Sequence, residues 1–217
     1  MSTSFLKLPG ELRNRVYEQC FLHQEPLDPW TDCNQRQELA PGPLLANKTV
    51  HREASSLFYP QNRLDFTIAT SKDVTSFLGT IGRNADYIQH VCIDFPNLRD
   101  LEQGNFTLKE SRISILVDIQ SRCVNLSTLT TSVYSSNARV LQLDALDFPN
   151  IITEALKLED TRFRAISSVQ EIIVELYEDG SSCYIRRKME SHGWTVSAII
   201  RTCCQSGVRQ VFRRLRR

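Results

Sequence analysis

Cys20, His23, Cys33 and His51 are the first residues whose types could do chemistry, as nitrogen and sulfur ligands for a metal ion. Compact zinc modules draw such ligands from paired C-x2-C and H-x3-5-H units, because a pair on one turn fixes two corners of the tetrahedron. Neither pair is present, so the spacing reads as a core thiol with solvated histidines and calls for no metal. The vicinal Cys203-Cys204 has no flanking feature that marks a redox centre. Asp94, Asp144, Asp147, Glu154 and Glu159 are scattered as on any solvated face. No G-x-S-x-G, H-E-x-x-H, G-x-x-x-x-G-K-[ST] or G-x-G-x-x-G occurs, and the 8 glycines stand singly, leaving no loop to cradle a phosphate. The expectation is a protein without catalytic machinery or cofactor.

Two clusters suit recognition instead. Near the amino end, Leu8, Pro9, Leu12 and Val16 form an apolar stripe at helical spacing, with Glu11 and Arg13 on its rim. Such a stripe either docks in a partner's groove or, with Cys20, packs on Ala46, Val50 and Ala54 as a cap of the body behind it. At the carboxyl end, Arg209, Arg213, Arg214, Arg216 and Arg217 alternate with apolar residues, and Ile185-Arg186-Arg187-Lys188 adds charge to the same third of the chain. A basic amphipathic helix for a partner or nucleic acid, a nuclear-import signal and a solvated tail are all open readings. A net charge of +1 and a pI near 7.6 give no whole-protein field that would favour nucleic acid or a membrane.

The elements that position these clusters follow from periodicity. Leu8, Leu12, Val16 and Cys20 recur every four residues, widened by Tyr17 and Phe21, so one helix runs to about residue 22, with Pro9 in its first turn. Residues 24–43 carry Pro26, Pro29, Pro41, Gly42 and Pro43 and form a long loop. A second helix starts near Pro43, buries Ala46, Val50, Ala54, Leu57 and Phe58, turns Lys48, His51, Arg52, Ser55 and Ser56 outward, and stops at Pro60. From residue 63 short β-like runs alternate with helical patterns, the grammar of a parallel sheet with crossover helices. Runs 88–95, 126–133 and 169–176 start 38 and 43 residues apart and share inward offsets 0, 3, 5 and 7, with Thr131 the one non-apolar member. Leu64, Phe66 and Ile68 begin the series, followed by a helix between a Ser71 cap and Gly82; a further strand runs through Trp194, Val196 and Ala198, after a helix around 183–190.

The predicted fold is α/β, or α+β: helices over 1–62, an α/β body over 63–207 with parallel strands, and a basic tail over 208–217. The offsets resemble the L-x-x-L-x-L core of leucine-rich repeats, whose strands are buried by stacking on their neighbours. The period is longer than the usual 20–29 residues, and Pro96, Tyr134 and Tyr177 stand where those repeats place Asn or Cys. An ordinary open α/β sheet is the competing architecture.

Leu8-Pro9-Gly10-Glu11-Leu12-Arg13-Asn14-Arg15-Val16-Tyr17 resembles the L-P-x-E-L-R-N-x-I-Y opening of a large fungal family of F-box-like proteins. Leu44-Leu45 through Arg52-Glu53-Ala54-Ser55-Ser56-Leu57-Phe58-Tyr59 is similar to that family's second block, and Asn62, Leu64 and Phe66 to the strand after it. The resemblance covers about 60 of the 217 residues. It implies a substrate-recognition protein whose Leu8, Pro9, Glu11, Leu12, Arg13 and Val16 meet the small adaptor subunit of cullin-linked ubiquitin ligases, while the body holds an unknown client. Standard F-box domains are compact three-helix units, whereas about 20 Pro-rich residues separate the first two helices here. The alternative is a non-catalytic scaffold or effector-like protein that binds an unrelated protein, or nucleic acid through its basic end. Seven cysteines, an odd number, suit reduced thiols in the cytosol or nucleus. The start of the chain lacks a secretory pattern, and no apolar stretch reaches the ~18 residues of a membrane span.

Overall fold

The computed structural model describes residues 5–30, 47–95, 110–133, 149–177, 183–200 and 213–214. After a 3-10 turn at Phe5–Lys7, helix α1 spans Gly10–Phe21 and α2 spans Lys48–Gln61. The body follows as β1 (Leu64–Asp65), α3 (Ser71–Ile81), a 3-10 segment (Gly82–Tyr87), β2 (His90–Asp94), α4 (Glu110–Arg122), β3 (Thr128–Val133), α5 (Pro149–Ala165), β4 (Glu171–Tyr177), α6 (Cys183–Ser191), β5 (Thr195–Ile200) and β6 (Arg213–Arg214). Strands β1 to β5 pair in chain order and all in parallel. Right-handed crossovers that advance one strand at a time put the crossover helices on the same face, and α3, α4 and α5 pack side by side there. This is the α/β sheet expected from the alternating grammar, with the three runs as neighbouring parallel strands.

The shared offsets have a structural cause. Offsets 3 and 5 lie in the strands, and register stacks them into rows: Val91, Leu129 and Ile172, then Ile93, Thr131, Val174 and Val196. These rows form the helix-facing side of the sheet and the main core. Offset 0 lies before each strand, in a turn that recurs: Ile88, Leu126 and Val169 donate to Ala85, Cys123 and Ile166 at 3.1, 3.1 and 3.0 Å. The turns are stitched together as well. The Gln89 carbonyl accepts from Ser127 and Thr128 at 3.0 and 2.9 Å, and the Ser127 carbonyl accepts from Gln170 and Glu171 at 2.9 and 3.0 Å. Each unit therefore completes its neighbour's backbone bonding as well as its core.

Several local expectations shift. The N-cap of α3 is Thr70, not Ser71; its hydroxyl accepts from the Asp73 amide while the Asp73 carboxylate accepts from Thr70, a reciprocal box that Ser71 could not form because Val74 stands three residues after it. Gly82 ends the helix at φ 55°, as its freedom at positive φ allows. Helix α2 begins at Lys48, where the Asn47 side chain accepts from the Thr49 and Val50 amides. Pro60 does not stop it: proline removes one hydrogen bond but keeps helical φ, so the helix runs on to Gln61. Ser55 is buried, because α2 has a second covered side toward Gly82–Tyr87, where Tyr59 joins the main core. Ala46 lies outside the described residues.

Non-repeat segments meet both edges of the sheet. Leu27, inside the Pro-rich connection, pairs with β1: its amide donates to the Arg63 carbonyl and its carbonyl accepts from the Asp65 amide, each at 2.7 Å. Pro26 and Pro29 flank it, a composition that blunts an edge. Trp30 then packs on Phe66 and Phe77 with ring centroids 5.4 and 5.9 Å apart. At the other edge β6 pairs antiparallel with β5, so Arg213–Arg214 is extended backbone and not part of an amphipathic helix.

Thr131 is fully buried in the helix-facing rows, and its hydroxyl has no hydrogen-bond partner among the described residues. An unpaired buried hydroxyl carries a desolvation penalty that a methyl of the same shape does not. Thr131→Val should therefore raise unfolding free energy by about 1 kcal/mol, read as a higher urea midpoint at unchanged slope; a lower midpoint would mean that the hydroxyl has a partner.

Candidate functional site

Helix α1 buries one face and exposes the other. Tyr17 and Phe21 point inward and form a small core of their own with Val50 and Ala54, with Phe5, Leu57 and Phe58 packed around it. Phe58 touches both this cluster and the main core, joining the helix pair to the body. The opposite face carries Leu12 and Val16, 45% and 42% exposed, with Leu6 at 43%. Pro9 and Glu11 are exposed and Leu8 is half-buried. Cys20 is exposed as well, so it is not the core thiol its spacing suggested. The helix is thus rotated so that its two aromatic rings face α2 and Leu12, Val16 and Cys20 face outward.

Arg13 departs from its expected place on the rim. Its guanidinium turns inward and grips the Glu53 carboxylate of α2 in a two-pronged ion pair, Nη2 to Oε1 at 2.7 Å and Nε to Oε2 at 2.9 Å. The remaining terminal nitrogen donates to the Leu8 carbonyl at 2.6 Å and the Leu6 carbonyl at 3.4 Å, pinning the chain that leads into α1. The Tyr17 hydroxyl donates to Glu53 Oε2 at 3.2 Å. The hydrogen bond from Arg13 holds the Glu53 carboxyl below its ordinary range, and burial, reinforced by Glu53, holds the Tyr17 phenol above its own. A second clasp closes the far end. The Asn62 side chain donates to the Phe21 and Phe58 carbonyls, each at 2.8 Å, and accepts from the His23 amide at 2.9 Å.

These contacts fix direction. Arg13 meets Glu53 and Phe21 meets Phe58 and Asn62, so α1 and α2 run parallel. The 12 residues of α1 span about 18 Å, and a connection between parallel helices must retrace that length. The Pro-rich stretch between them is thus a geometric requirement.

Away from the helices the sheet carries a second polar cluster, most of it buried, which sequence reasoning did not single out. Cys92, Thr130, Ile173 and Thr195 form one row and Asp94, Ser132, Glu175 and Ser197 the next. His90 Nε2 and Thr130 Oγ1 lie 2.7 Å apart, Ser132 donates to Glu175 at 3.1 Å, and Arg63 pairs with Glu175 at 3.4 Å. The alternation along the strands, apolar toward the helices and mostly polar away apart from Cys92 and Ile173, was the available signal.

Compared with family models, curated proteins and solved structures, the chain matches none.

The other candidates do not converge. Among the described residues no group of three or more His, Cys, Asp or Glu side chains is placed to hold a metal ion, and no helix is long and apolar enough to cross a membrane. Cys33, Asp144, Asp147, Cys203, Cys204, Arg209, Arg216 and Arg217 lie outside the described residues. In the basic run of α6, Arg186 pairs with Glu190 at 3.2 Å and donates to the Val196 carbonyl at 3.1 Å, and Lys188 lies 5.9 Å from the Tyr184 ring centre.

The outward face of α1 can be read chemically. A thiol reagent should modify Cys20 in the native protein while sparing Cys92 and Cys123, both buried, the latter with burial pushing its thiol up to about 12. Site-resolved mass spectrometry after brief alkylation checks this; protection of Cys20 equal to that of Cys123 would mean that the stripe is sealed against α2.

Proposed function

We propose that this chain is a non-catalytic, F-box-like recognition protein: the outer face of α1 docks on the adaptor subunit of a cullin-linked ubiquitin ligase, and the α/β body holds the client. The observation that carries the reading is the outward stripe of Leu12 and Val16 on a helix already held to the body by its other face. An amphipathic helix anchored in this way is pre-organised to enter a groove, so little ordering cost falls on binding. Glu11 borders the stripe; Arg13 acts from beneath, holding α1 in place.

The body supports the second half of the reading. Away from the helices Thr195 is exposed and Asp94, Ile173 and Ser197 are half-buried, so these positions, and not the buried Thr130, Ser132 and Glu175, are where a protein partner can reach the sheet. Free, reduced cysteines fit an activity in cytosol or nucleus.

The test separates docking from folding. Truncating Leu12 or Val16 in a folded core would cost several kcal/mol, whereas half-exposed side chains should behave as surface positions, within about 0.5 kcal/mol each. Leu12→Ala with Val16→Ala should leave the melting transition nearly unchanged and abolish capture of the purified adaptor, since central apolar anchors dominate such interfaces. A wild-type protein that fails to capture adaptor where a known F-box protein succeeds would refute the assignment.

A further inference from the structure

Away from the helices, Asp65, Cys92 and Thr130 form one row of the sheet and Asp94, Ser132 and Glu175 the next. Cys92, Thr130, Ser132 and Glu175 are buried. Arg63 precedes β1, yet its guanidinium pairs with Glu175 of β4 at 3.4 Å, both side chains being largely sheltered. Strands β2 and β3 lie between them. At about 4.8 Å per strand the gap is roughly 14 Å, so the Arg63 side chain closes it by lying across β2 and β3, over Cys92 and Thr130. This strap is loosely fastened. Arg63 meets Glu175 and the Gln24 carbonyl at 3.4 and 3.3 Å, whereas Arg13 grips Glu53 at 2.7 and 2.9 Å. Charge-assisted bonds are commonly about 2.7–2.9 Å long. The face beneath is acidic: among the described side chains it carries Asp65, Asp94, Glu171 and Glu175 against Arg63 and His90.

We infer that Glu175 and Ser132 form a subsite for a lysine or arginine side chain of the client, and that Arg63 is its internal occupant, a strap that the client's cation displaces. This rests on the reading that the body holds the client and adds to it the chemistry of what is held. Arg63 shows that the place accepts a guanidinium: one Glu175 oxygen receives it while the other accepts from Ser132 at 3.1 Å. A client segment enters past Asp94, Ile173 and Ser197, half-buried at the rim. It exchanges one cation for another, so the buried carboxylate is never left without a charge partner, the costly outcome for such a group. An anionic segment would instead meet the carboxylates of Asp94 and Glu171.

The experiment uses Cys92 as a reporter in the full chain, read by site-resolved mass spectrometry after brief alkylation with iodoacetamide. Arg63→Ala should raise the rate at Cys92 about tenfold, as a local opening does, while Cys123 stays protected. Glu175→Gln leaves Ser132 an acceptor and removes the charge that holds the strap, so it should expose Cys92 likewise. Added methylguanidinium should return Cys92 of Arg63→Ala toward the wild-type rate and leave Glu175→Gln unaffected. Should Cys123 react as well in Arg63→Ala, that variant has unfolded and Glu175→Gln decides. Wild-type protection of Cys92 in both variants would overturn the strap. Exposure that methylguanidinium does not reverse, or reverses equally in Glu175→Gln, would overturn the cation subsite. Neither adaptor nor client is present, so these outcomes leave docking through α1 to its own test.

Discussion

Two amphipathic helices that pack parallel can be joined only by a connection that runs back along a whole helix, and much of this molecule follows from that constraint. The return path begins at Leu22 and brings Leu27 to the open edge of β1, where it takes up the backbone groups of Arg63 and Asp65. It then lays Trp30 on Phe66 and Phe77. Helix α2 must serve two neighbours at once, α1 through Val50 and Ala54 and the body through Tyr59, which is why Ser55 is buried on a side that a one-stripe reading leaves in water. Because α2 is used up between them, α1 has a single face to give, and the other remains outside.

Leaving Leu12 and Val16 half in water forgoes on the order of 1 kcal/mol apiece, against the 1.5–3 kcal/mol that full burial of such a side chain is worth. A domain with ~5–15 kcal/mol in hand can tolerate that. The energy becomes available to a partner that covers the ridge, while Arg13 and Glu53 keep the ridge from rolling inward. Their pairing is local, two-pronged and shared with Tyr17, so it acts on the orientation of α1 more than on the cohesion of the body.

Sequence patterning made the body legible because a sheet buried against helices imposes strict alternation. Offsets 3, 5 and 7 in three runs foretold the rows through Val91, Ile93 and Phe95 and their partners, and Thr131 stood out as the polar exception before its burial was seen. Offset 0 was legible as a position but not as a turn, since nothing in Ile88, Leu126 or Val169 reports where strand pairing begins. The N-terminal helix was harder. Leu8, Leu12, Val16 and Cys20 make one stripe and Tyr17 and Phe21 another close beside it, and periodicity alone cannot say which faces in. The Arg13–Glu53 pair, 40 residues apart in sequence, depends on the parallel setting of two helices that only the folded structure supplies. Helix caps failed by a residue where two hydroxyls, Thr70 and Ser71, compete and the acid at Asp73 decides.

The central claim is that α1 stays packed through Tyr17 and Phe21 while its outer face engages a partner. Methyl resonances of leucine and valine in the isotope-labelled full chain, followed as purified adaptor is added, address it most directly. The account predicts shifts confined to Leu6, Leu8, Leu12 and Val16, with Val50 and Leu57 beneath α1 unmoved. Shifts at Val50 and Leu57 would mean that α1 leaves its seat to bind, and shifts at Val174 and Leu176 with a silent α1 would place the contact elsewhere; either result would contradict it.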